Sequence, residues 1–256
     1  MPSHDRWSPS PDLRSTSPAR AGEVPPSPDL RSTSPAQAGE VKSEPVVLVH
    51  GLWMNGAEFG ALRHWLQARH GFDAHVFPYP SLHGDAGAIG AELAEFARQR
   101  ASDAGRVHVV GHSLGGAIAY RALERGLRDV PGRTVVMGSP LNGSRAASGA
   151  ARFAALRPLL GPHVLNELAQ AQDRCWACSD VRTLGALAGS RRVGIGQFFA
   201  GFDDDNDGTV AVAETVIPGL DDHVVVPHSH MGMLFAADTA AQVAHFLRHG
   251  RFARDS

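Results

Sequence analysis

The sequence is short of cysteine, of net charge and of long apolar runs, and each shortage removes a class of protein. Two cysteines in 256 residues cannot build a disulfide framework. A formal net charge of −2 supplies no field to gather nucleic acid or anionic lipid, so no nucleic-acid partner is expected. No segment approaches the roughly 20 apolar residues that span a bilayer, so no integral membrane segment is expected. The opening residues, Met1-Pro-Ser-His-Asp-Arg-Trp-Ser-Pro9, lack the apolar core of a secretory signal. On these grounds the cytoplasm is the simplest location.

The first 44 residues also have almost no bulky apolar side chains. Residues 9–24 recur as residues 26–41, and the copies differ only in Arg20 against Gln37. Proline, serine and glycine dominate, so burial cannot offset the entropy of ordering this stretch. Two copies are too few for a solenoid. We expect residues 1–44 to be a disordered tail and residues 45–256 to form one domain.

What is there begins with a strand, a tight turn and a helix. Val107, Val109 and Val110 form a short β-branched run of the kind found in buried parallel strands. Gly111-His-Ser-Leu-Gly115 follows, then the helical run from Gly116 to Leu123. G-x-S-x-G in this setting is a nucleophile elbow, a strained turn that lifts a serine hydroxyl over the end of a sheet. Gly111 and Gly115 lack the Cβ atoms that so sharp a turn would crowd. The N–H of Leu114, at the helix start, is then placed to meet an oxyanion formed beside Ser113.

Strands and helices alternate around this unit. Val46–Val49, Asp73–Phe77 and Arg133–Met137 are predicted strands, and Val193–Phe199 and His223–Pro227 are expected to complete a count of about six. Phe59, Leu62, Trp65 and Leu66 share one helical face, as do Ile89, Leu93, Phe96 and Ala97. This rhythm predicts a mostly parallel sheet with helices on both faces and ligands at the carboxyl ends of the strands. Residues 141–190 break the rhythm. Phe153, Leu156, Leu159, Leu160, Val164, Leu165 and Leu168 read as short helices of a cap or lid, interrupted by Pro158 and Pro162. Gly185 and Gly189 mark its far end as mobile.

Val46-Val-Leu-Val-His-Gly-Leu-Trp53, Gly111-His-Ser-Leu-Gly115, and Asp207-Gly-Thr-Val210 followed by His228-Ser-His230 together resemble the α/β-hydrolase superfamily, in its esterase/lipase branch. The resemblance runs from about residue 45 to the end and implies an α/β-hydrolase fold with a short helical cap. It implies that the loop after the first strand supplies a second oxyanion donor, the N–H of Leu52. It also implies an acid and then a histidine, each after one of the last two strands. Asp207 is the acid because Asp-Gly-Thr-Val is similar to the acid motif of bacterial lipases, with Asp205 and Asp204 as alternatives. Ser229-His-Met-Gly-Met233 resembles the family's histidine turn, which favours His230 over His228. The activity implied is that of a serine esterase or lipase-like hydrolase on a small-molecule ester or lipid. No cofactor or metal is implied. An acyltransferase, thioesterase or amidase would use the same triad, and a non-catalytic binding protein would use the same fold.

Two other patterns compete for attention. Asp203, Asp205, Asp207, Gly208 and Glu214 match D-x-[DN]-x-[DN]-G-x₅-E, a calcium loop, but the flanking helices of an EF-hand are missing from the pattern. Cys175-Trp-Ala-Cys178 is a C-x-x-C without a second pair for zinc and outside a thioredoxin-like position, so two reduced structural cysteines are expected.

Overall fold

The computed structural model describes residues 43–254 apart from 156, 162–163, 165–166, 169–173, 177–178, 195 and 197–200. Residues 1–42 of the expected disordered tail, Leu156, Leu165, Pro162, Cys178 and most of the expected strand around Ile195 therefore lie outside the described residues.

Six strands form one all-parallel sheet in the order β2-β1-β3-β4-β5-β6. They are β1 (Pro45–Val49), β2 (Asp73–Phe77), β3 (His108–His112), β4 (Gly132–Met137), β5 (Arg182–Gly189) and β6 (Asp222–Val226). The helices are α1 (Gly60–Ala68), α2 (Ala86–Ala104), α3 (Leu114–Glu124), α4 (Arg145–Ala151), α5 (Arg157–Leu160) and α6 (Ala237–His249). No helix among the described residues is long and apolar enough to cross a membrane.

The strands are apolar on both faces because both faces are covered. In β1, Val47 and Val49 join a core with Ile89, Leu93 and Ala97 of α2 and Ala117 and Ile118 of α3. Val46 and Leu48 point the other way, into a core with Leu62 and Leu66 of α1 and Val243, Phe246 and Leu247 of α6. All four β1 residues are fully buried, and burial of each contributes roughly 1.5–3 kcal/mol. Helix α2 starts where Asp85 Oδ1 accepts the N–H of Ala88 at 2.8 Å and stops at left-handed Gly105.

The fifth strand corrects the sequence reading. It is Arg182–Gly189, inside the stretch expected to be a mobile cap end, and it lies between β4 and β6 in register with both. Val193, Gly194 and Gly196 belong to no strand. Arg182-Thr-Leu-Gly-Ala-Leu-Ala-Gly189 has few of the branched residues that favour strands. Packing explains this composition. A Cβ on Gly185 would lie 2.3 Å from the Phe246 ring of α6, so this position must be bare for the helix to seat.

Between β4 and β5 the chain carries α4 and α5. Leu160, Val164, Leu168 and Trp176 from this stretch join the α2–α3 core. It is pinned to α3 by Glu167, which pairs with Arg121 at 3.0 Å and with Arg174, and by the Tyr120 hydroxyl donating to the Cys175 carbonyl at 3.0 Å. Phe153 remains exposed.

Candidate active site

Ser113 sits between β3 and α3 with φ 55° and ψ −123°, a sparsely populated conformation that costs about 1–3 kcal/mol. Close packing holds it there. A Cβ on Gly115 would lie 2.0 Å from the Val49 carbonyl oxygen, and one on Gly111 would lie 2.5 Å from the Gly115 carbonyl oxygen. The Ser113 N–H donates to the Met137 carbonyl at the end of β4 at 2.9 Å. The loop leaving β1 passes over the same point, since a Cβ on Gly51 would lie 3.2 Å from Ser113 Cβ. Leu114 is the first residue of α3, whose initial N–H groups have no partner within the helix. Leu52 follows Gly51 in the passing loop.

Asp207 and His230 are brought together by both backbone and side chains. The His230 N–H donates to the Asp207 carbonyl at 2.9 Å, and His230 Nδ1 lies 2.8 Å from Asp207 Oδ2. Asp207 is 1% exposed. Its other oxygen accepts the N–H groups of Thr209 at 2.9 Å and Val210 at 2.7 Å. Its contact with Nδ1 fixes the imidazole tautomer with the hydrogen on Nδ1. The Nε2 lone pair is left available to a proton donor.

The alternatives stand elsewhere. His228 Nε2 pairs with Asp238 on α6 at 2.8 Å. Asp204 is exposed and held by both oxygens on Arg145, and Asp205 is exposed with Arg192 at 3.6 Å. The calcium-loop pattern is used up by the fold. Glu214 Oε1 accepts the backbone N–H of Arg145 at 2.8 Å and its Nε–H at 3.1 Å, while Oε2 accepts the Ala211 N–H at 2.9 Å. Among the described residues no three His, Cys, Asp or Glu side chains converge as metal ligands. Cys175 is a free, exposed thiol.

Three residues to which the sequence reading gave no part in the site shape this corner. Gly138 has φ 53°, and a Cβ there would lie 3.0 Å from Asp207 Oδ2 and 3.1 Å from His230 Nδ1. A Cβ on Gly189 would lie 2.8 Å from Asp207 Cβ. Both glycines make room for the Asp–His pair at the ends of β4 and β5. No local motif marks them. His112, beside Ser113, is 1% exposed and stands with its ring 4.7 Å from that of His230. Its Nε2–H donates to the His230 carbonyl at 3.0 Å, and its Nδ1 is buried without a partner.

Burial, reinforced by His230, pushes the His112 imidazole down from 6.5 to about 3. The unfolded chain therefore takes up a proton below about pH 6.5 that the folded chain refuses until about pH 3. Stability is then lost as pH falls through this window, at up to about 1.4 kcal/mol per pH unit. Urea unfolding of His112→Gln, measured from about pH 4 to 6.5, is expected to show a slope against pH shallower by about one proton. Equal slopes would show that His112 titrates alike in both states.

Comparison with known proteins agrees with this architecture. A lipase of Bacillus licheniformis, BlEst2 in its mature form, superposes with a TM-score of 0.64 at 21% identity, covering 84% of this chain and 94% of that one. The metagenomic carboxyl esterase MGS0156 gives 0.57 at 21% identity over 74% of this chain and 65% of that one. The phospholipase PlaB of Legionella pneumophila gives 0.54 at 18% identity over 68% of this chain and 45% of that one. The chain thus spans nearly all of the first, about two thirds of the second and less than half of the third. No curated protein sequence matches. These identities speak for the fold, and the sequence itself supplies the family: a model of the alpha/beta hydrolase family matches residues 46–253, and the chain belongs to that family.

Proposed function

We propose that this hydrolase-fold chain is a serine hydrolase that cleaves carboxylic esters through an acyl-enzyme. The observation that carries the reading is the buried 2.8 Å pair of Asp207 and His230, whose imidazole lies 4.7 Å from the ring of His112, the residue before a serine on a strained elbow. Ser113 Oγ attacks the ester carbonyl carbon, and His230 Nε2 takes the hydroxyl proton. The tetrahedral oxyanion accepts hydrogen bonds from the N–H groups of Leu52 and Leu114, each such donor contributing about 3 kcal/mol in the transition state. The C–O bond to the alcohol breaks, and His230 returns the proton to the leaving oxygen. Water then repeats the sequence on the acyl-Ser113 ester, releasing the acid. Asp207 holds the imidazole in the working tautomer and stabilises its protonated form throughout. The carboxyl esterase and lipases of the same fold support an ester as substrate.

A fluorophosphonate probe tests the chemistry directly. Stoichiometric labelling of Ser113, located by peptide mass, is expected together with hydrolysis of p-nitrophenyl esters. A chain that neither labels nor hydrolyses any acyl length would be a binding protein on this fold.

A further inference from the structure

Among the described residues only two non-glycine positions have positive φ: Ser113 at 55° and Trp53 at 61°. The first is the elbow. The second lies one residue after Leu52, in the loop that leaves β1. Strain of this kind persists only where the surroundings over-determine the backbone. Around Trp53 the surroundings come from the segment that leaves β2, the strand beside β1.

That segment is Pro78-Tyr-Pro-Ser81. Its two prolines fix their own φ and stiffen it. The Tyr79 hydroxyl donates to the His50 carbonyl at 2.7 Å, and its ring stacks on the His50 imidazole with centroids 4.3 Å apart. Two residues on, Ser81 Oγ accepts the Trp53 N–H at 3.1 Å. Tyr79 and Ser81 are both buried, so neither contact is weakened by water. Inside the span they clamp, the Met54 N–H donates to the Gly51 carbonyl at 3.4 Å, closing a tight turn with Leu52 and Trp53 at its centre. A positive φ at the second central residue is what a type II turn requires.

We infer that Tyr79 and Ser81 are positioning residues for oxyanion stabilisation: they grip the β1 loop on both sides of Leu52, at His50 and at Trp53, and so aim the Leu52 N–H at the developing charge. The inference rests on the reading of Leu52 as an oxyanion donor. Neither side chain touches the reacting atoms. They act by holding a donor still before charge develops, which is where such donors gain their effect. Tyr79 is suited to this because burial pushes its phenol up, keeping the hydroxyl a neutral donor.

The test uses Tyr79→Phe and Ser81→Ala, each assayed per active site titrated with the fluorophosphonate, well below the melting temperature. Loss of one oxyanion donor lowers kcat by about 10²–10³-fold, so a loosened donor is expected to lower it by about 10–100-fold with KM within about threefold. Affinity for an alkylboronic acid, which forms a tetrahedral anion on the serine, should fall by the same factor as kcat/KM. A merely structural role would lower the melting temperature and leave both ratios alone. Both variants keeping wild-type kcat per titrated site would overturn the inference while the esterase reading stood, as would a kcat loss without a boronate loss. A wild-type chain that fails to label would remove the esterase reading and this inference with it.

Discussion

Replacing His230 with alanine is expected to lower kcat by about 10⁴-fold or more, as is replacing Ser113, because base and nucleophile act as one unit. The double variant should then be scarcely worse than either single one. The geometry explains why. On the proposed mechanism His230 Nδ1, committed to Asp207 at 2.8 Å, leaves Nε2 as the base, and without it the Ser113 hydroxyl keeps its proton. Asp207→Asn should also be severe. An amide at this position can donate to Nδ1 and stabilise the wrong tautomer, and it cannot balance the charge of the imidazolium. His228→Ala should retain most activity, since its ring is tied to Asp238 on α6. Steady-state kinetics on one soluble ester decides the matter. Activity lost in His228→Ala and kept in His230→Ala would move the base by two residues and detach Asp207 from the chemistry.

The parts of this site that were legible in the sequence are those written by local backbone demands. The elbow is one. A turn this tight excludes side chains at Gly111 and Gly115, so the glycines appear at fixed offsets from Ser113. Residues brought together across the chain were not legible from physics alone. Asp207 and His230 are 23 positions apart, and only likeness to a known family singled them out from neighbouring Asp and His residues. Gly138 carried no signal and Gly189 was read as slack, because the demand for empty space at both comes from the Asp207–His230 pair. Strand β5 failed for a related reason. Alternation and branching are the usual marks of a strand, but Gly185 answers to a phenylalanine ring on α6. A glycine that looks like slack in the sequence is there a close contact. Tyr79 and Ser81 carry no motif either, and their part in the loop after β1 is visible only once β2 lies beside it.

Arg182→Met is expected to destabilise the chain by about 4 kcal/mol, with kcat per folded molecule nearly unchanged. Arg182 opens β5 and is 1% exposed. It has no carboxylate partner within the hydrogen bonds of its guanidinium. These run instead from Nε to the carbonyls of Leu127 and Val130, both at 3.0 Å, from Nη1 to Thr134 Oγ1 at 3.1 Å and the Arg133 carbonyl at 3.4 Å, and from Nη2 to the carbonyls of Val107 at 2.8 Å and Pro131 at 3.4 Å. One side chain thus satisfies the turn between α3 and β4 and the start of β3. Two effects oppose each other in the substitution. Removing a buried charge relieves a desolvation cost of several kcal/mol, and burial does push this guanidinium down to about 9. Against that, the carbonyls lose a charged donor, and each left buried and unpaired costs roughly 1–3 kcal/mol. Leu127 and Pro131 keep a second donor, the N–H groups of Val130 and Val107. The remaining carbonyls and Thr134 Oγ1 carry the loss, and methionine cannot fill a planar guanidinium's space without a void. The unpaired oxygens win because they are several and the charge is one. For a chain of this size about 4 kcal/mol lowers the melting temperature by roughly 10 °C. Arg182→Lys should fall between, since an ammonium can reach only part of this fan of acceptors. Activity should persist because Arg182 begins β5 at the end of the strand opposite to the one where Gly189 meets Asp207. A denaturant midpoint for Arg182→Met within about 1 kcal/mol of wild type would show that these carbonyls find other donors when the guanidinium is gone.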